Sequence, residues 1–167
     1  MILTQRVQRA AIFLSTLALV VGYVSSDIWI GAGLLATLGV LWGFGCLHNW
    51  RWIANLAMAG IAIAAAIGIE LGVNSGLVLV SILSALAAWD LNAFNHRLQG
   101  MRDDEKTLAL EKSHLYRLSW VIGLGLLLAG AGLTLNWNAG FGIVFILSLL
   151  VAISFGRIIG FLKDQNV

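Results

Sequence analysis

The stretch WIANLAMAGIAIAAAIGI, residues 52–69, followed by ELGVNS, residues 70–75, and GLVLVSILSALAAWDLNAF, residues 76–94, decides the fold class. Each long run is apolar for close to the ~20 residues that an α-helix needs to cross a hydrocarbon layer about 30 Å thick. The runs are continuous and do not alternate over about ten residues, which argues against transmembrane β-strands. The link between them is short, and Asn74 sits two residues before Gly76, where the turn must hand over to the next helix. The segment therefore reads as two membrane helices joined by a short loop.

Working outward, the same signature recurs. Windows at 8–24, 28–47, 119–135 and 139–161 join 52–69 and 76–94, giving six predicted spans in a chain of 167 residues. The composition is 60% apolar and 11% charged, with a mean hydropathy of +0.93, a balance suited to lipid. Six spans leave no room for a soluble catalytic domain, so residues 1–167 read as a single integral membrane domain, an all-α polytopic helical bundle. The absence of proline removes the usual helix break that exposes main-chain carbonyls in transport sites. The first segment follows Arg6 and Arg9 but lacks a small-residue cleavage site. It is expected to stay as a membrane anchor.

Charge sets the predicted orientation. Arg6 and Arg9 precede the first span, and Arg51 lies between the second and third. Arg97, Arg102, Lys106, Lys112 and Arg117 lie between the fourth and fifth, and Arg157 and Lys163 close the chain. The links around Asp27, Glu70 and Asn136 carry no positive charge. The positive-inside rule then places both termini and the longest loop in the cytoplasm of a multi-pass cell-membrane protein. Trp29 and Trp137 mark the outer interface, and Trp50, Trp52 and Trp120 the inner one.

An internal repeat is the second signal. A shift of 64 residues lays Gly68, Leu71, Asn74, Gly76, Val80, Ile82, Leu83, Ser84, Leu86 and Ala88 over Gly132, Leu135, Asn138, Gly140, Val144, Ile146, Leu147, Ser148, Leu150 and Ala152. The repeat pairs 68–88 with 132–152 without a gap. The first two spans look like a divergent copy, so the six transmembrane helices form three consecutive helical hairpins of parallel topology. Asn74 with Gly76, and Asn138 with Gly140, fall at the outer hairpin turns, where an amide side chain can satisfy free backbone donors at the next helix start.

Several residues stand out as candidates for contact or chemistry. Gly39 with Gly43, and Gly156 with Gly160, are small-xxx-small pairs that admit a close helix, either within the chain or from a partner. Asp90 lies inside the fourth span, where an unpaired carboxylate is costly. Together with Asn92, His96 and Arg97 it makes a candidate polar or ion site, with Arg97 or Arg51 as its expected counter-charge. Cys46 is the single cysteine, which excludes an intrachain disulfide. His48 and His96 fall near the inner ends of spans but carry no surrounding haem or metal motif. No cofactor and no metal is expected. The segment 100–117 mixes acidic and basic residues around Leu108, Leu115 and Leu118, the spacing of a surface helix that continues toward the fifth span. Its mixed charge argues against nucleic acid as a partner.

These features favour a noncatalytic integral membrane subunit or scaffold of a larger membrane complex. Its expected partners are membrane lipid and other integral membrane proteins or a second copy of the chain. The alternative is a small-solute or ion transporter with its acidic site near the inner end of the fourth span. An enzyme is disfavoured, since no credible nucleophile and base pair is present and architecture alone assigns no reaction.

Overall fold

The computed structural model describes residues 2–48, 50–98 and 104–134, and these are helical apart from short turns. In order they form α1 (Ile2–Ser25), α2 (Trp29–Leu47), α3 (Arg51–Glu70), α4 (Ser75–Leu98) and α5 (Asp104–Thr134). Four stretches, Leu3–Ser25, Trp29–Leu47, Trp52–Glu70 and Ser75–Leu98, are long and apolar enough to cross a membrane. Helices α1 to α4 contain 24, 19, 20 and 24 residues, or about 28 to 36 Å at 1.5 Å per residue. The chain is thus a membrane-type helical bundle. Contacts divide it into a unit Met1–Ala131 and a unit Gly132–Val167, and the bundle belongs to the first. The sixth predicted span, and with it Asn138, Gly140, Gly156 and Gly160, lies outside the described residues. So does nearly all of the second repeat copy.

Helix α1 is the hub. It packs most extensively on α4, then on α2, and touches α3. Its buried residues are Thr4, Gln8, Ile12, Ser15, Ala18, Leu19 and Tyr23. The spacing of four and three residues places them along one helix face. That face meets Trp42 of α2, Ile61 and Ala65 of α3, and Val78, Ala85 and Ala88 of α4 in one core. Trp42, Leu19 and Ile61 are its largest fully buried side chains, and the alanines let the backbones approach.

The turns explain the helix ends. After α3, Val73 N–H donates to Gly68 O at 2.8 Å and Gly72 N–H to Ile69 O at 3.1 Å, with Gly72 at φ +82°. This is a helix stop in which a left-handed residue lets the chain reverse onto the last free carbonyls. After α1, Ile28 N–H donates to Tyr23 O at 2.9 Å and Asp27 N–H to Val24 O at 3.0 Å. There the left-handed position is filled by Asp27, at φ 59°. Asn74 then starts α4, its Oδ1 accepting from Gly76 N–H at 2.9 Å and Leu77 N–H at 3.4 Å. Such an amide cap satisfies donors that lipid could not.

Helix α5 runs unbroken for 31 residues from the charged segment into the apolar one. Of the leucines expected to form its stripe, Leu115 and Leu118 are half-buried, while Leu108 is exposed. Glu111 is buried between them.

Candidate functional site

The polar groups of the bundle gather where the start of α1 meets the ends of α2 and α4. Gln8 is at the centre. Its Nε2 donates to Asn92 Oδ1 at 3.0 Å and to the Cys46 sulfur at 3.3 Å. Its Oε1 accepts from Asn95 Nδ2 at 2.7 Å. The Cys46 thiol adds a weak bond to Asn92 Oδ1 at 3.9 Å. One carboxamide thereby ties three helices together. In an apolar surround such a network holds register, because every slip leaves a polar atom bare.

The network is incomplete. Asn95 is 7% exposed, yet its Oδ1 finds no hydrogen-bond partner among the described residues, and neither does the buried Nδ1 of His96. Both residues line a chamber of about 310 Å³ that also receives Gln5, Gln8, Arg9 and Asn92. Gln5 and Arg9 are exposed and form part of its wall. The chamber thus offers amide groups and a guanidinium.

The structure divides the residues that the sequence groups around Asp90. Asn92 and His96 line the chamber, and both also border a neighbouring cavity shared with Arg97, Trp89 and Asn55. Trp89 Nε1 donates to Asn55 Oδ1 there at 2.8 Å. Asp90 has a different partner. Its Oδ2 lies 2.7 Å from His114 Nε2 of α5. The His114 ring stacks on Phe94, with centroids 4.0 Å apart and an interplanar angle of 2°. A carboxylate and an imidazole at this distance can share or exchange a proton, and the Phe94 ring fixes the imidazole plane. The pair is partly exposed.

The two glycines of α2 behave differently. A Cβ on Gly39 would strike the Thr16 side chain of α1, whereas one on Gly43 would meet nothing within 4 Å. Gly39 is therefore a contact within the chain. Gly43 borders a groove of about 410 Å³ between α1 and α2.

Sequence reasoning passed over Gln8, Asn95 and His114. The first had a signal: Thr4, Gln8 and Ser15 fall at helical spacing with Leu19 and Tyr23, so polar residues lie on the face that carries core residues. Ser15 Oγ sits 3.3 Å from Ser81 Oγ, a second buried polar pair across the α1–α4 seam. Among the described residues no three His, Cys, Asp or Glu side chains gather in a way that could hold a metal ion. Comparison of the chain with protein families, curated proteins and solved structures returns no match.

Proposed function

We propose that the chain is a noncatalytic integral membrane subunit or scaffold, with other membrane proteins or a second copy of itself as partner. The observation that carries this reading is the contrast between a filled interior and broad apolar outer faces. Trp42, Leu19, Ile61 and Ala65 occupy the middle of the bundle, while Leu34, Val40, Leu41 and Phe44 of α2 and Leu56, Ile63 and Ile67 of α3 point outward. A helix bundle built this way offers surfaces to lipid and to neighbouring helices. The full topology belongs to the same proposal: six spans in three hairpins, with both termini cytoplasmic. Native mass measurement after extraction in several mild detergents tests the subunit role. A stoichiometric complex is the expected result, and a bare monomer in all of them would sink it. Single cysteines placed at residues 5, 74 and 163 test the topology, since only the one at 74 should react from outside the cell.

The Asp90–His114 pair favours a second reading, a proton-linked transporter of a small solute. That reading predicts flux in proteoliposomes which falls at least tenfold in Asp90→Asn, and no change in flux would remove the site.

A further inference from the structure

We infer that the bundle binds one anionic, hydroxyl-bearing phospholipid, with an acyl chain in the α1–α2 groove and the headgroup in the Gln8 chamber. This goes beyond the subunit reading and does not depend on it. The key residue is Arg9, which borders both cavities. On one side of it lies the groove, lined by Ile12, Phe13, Leu17, Val20, Val40 and Gly43. On the other lies the chamber with Asn92, Asn95 and His96. The order along the molecule is apolar channel, cation, then hydrogen-bonding pocket, which is the order of acyl chain, phosphate and headgroup.

Dimensions agree with one lipid leaflet. From Arg9 to Val20 the groove follows α1 for eleven residues, roughly 16 Å, against about 15 Å for half of the hydrocarbon layer. Its walls open sideways, with Phe13 68% and Val40 71% exposed, so a chain can enter from the membrane. Gly43 keeps the groove open, because any side chain there would project into empty space. A partner helix would cover the groove but leave the chamber unused. A soluble anion would use the chamber and leave the groove.

The headgroup chemistry follows from the groups that line the chamber. Arg9 supplies the charge for a phosphodiester. Asn92 and Asn95 line the chamber, and an amide oxygen there pairs only with an N–H or O–H from a ligand. A choline headgroup has neither. A glycerol headgroup has two hydroxyls.

The test uses the full chain in mild detergent, exchanged with equal amounts of phosphatidylglycerol, phosphatidylmethanol and phosphatidylcholine, with bound lipid read by native mass spectrometry. Phosphatidylglycerol should exceed phosphatidylcholine by about tenfold or more, because it adds net negative charge and hydroxyl donors to the phosphodiester that both carry. Phosphatidylmethanol, equal in charge but lacking the hydroxyls, should fall between. Arg9→Gln should weaken all three and remove the margin of phosphatidylmethanol over phosphatidylcholine, leaving only the hydroxyl preference for phosphatidylglycerol. Gly43→Leu should cut bound lipid about tenfold at an unchanged unfolding temperature, and Val40→Trp, at an exposed position on the same groove, should do the same. Equal binding of phosphatidylglycerol and phosphatidylcholine by the unaltered protein overturns the proposal. Full lipid retention in both groove variants does so too, as does displacement of the lipid by millimolar glycerol phosphate, which would mark a soluble-anion site.

Discussion

Gly39 and Gly43 stand one turn apart on α2, and the chain treats them in opposite ways. At Gly39 the place of a side chain is taken by Thr16 of α1, and the two residues together line the groove. At Gly43 nothing fills it, and the helices leave a groove that ends at Arg9. A small-xxx-small pair is usually taken as one contact surface. Here one member meets an α1 side chain and the other meets open space along the same groove.

Substitutions can break that contrast. Gly39→Leu should have the largest effect, because the added side chain must displace Thr16 and part α1 from α2. Overpacking of this kind costs about 1–3 kcal/mol, read as a lower unfolding temperature in detergent, while Gly43→Leu should stay within about 0.5 kcal/mol of the parent. Equal losses at the two positions would mean that both meet packed side chains. Next comes Gln8→Leu, which strands the amides of Asn92 and Asn95 in the adjoining chamber. A loss of about 1–3 kcal/mol is expected, partly recovered when Asn95→Leu is added, since an apolar pair is cheaper than an orphaned amide. A double variant no more stable than the single one would show that the network carries no coupling.

The far end of α1 extends the comparison to a third case. Tyr23 lies close against Gly31 and Gly68, and its hydroxyl donates to Ala64 O at 2.7 Å. Tyr23→Phe keeps the ring in its seat and removes only that bond, so a loss of about 1 kcal/mol is expected in the same unfolding assay. The smallest effect belongs to the turn that follows. Asp27→Gly relieves a left-handed non-glycine residue where the α3–α4 turn already has Gly72, and should stabilise by up to about 1 kcal/mol. A loss there would show that the Asp27 side chain contributes more than its backbone costs.

The apolar helices were legible because hydropathy over a span-length window is set by the membrane itself. Their ends were less so. Helix α1 begins at Ile2 and α4 runs to Leu98, beyond the windows at 8 and 94, since the hydrogen-bond ladder continues past the residues that must be apolar. Asn74 was readable as the start of α4 because cap chemistry is local. The partners of Asp90 and Gln8 were not. His114 is 24 residues from Asp90 and on another helix, and counting helix-face neighbours favoured the nearer Arg97. Asn95 is 87 residues from Gln8, a distance at which only the packing of α1 on α4 makes them neighbours.

That separation has a meaning in time. Gln8 and Ser15 find partners on α4 at separations of 84, 87 and 66 residues. At ~5–20 residues per second of synthesis, α1 exists for several seconds before α4 has left the ribosome. During that interval the Ser15 hydroxyl waits for Ser81, and the Gln8 amide has only the Cys46 sulfur of α2 until Asn92 and Asn95 follow. The polar face of α1 is thus completed only when α4 arrives, which makes α1 a segment in need of an escort.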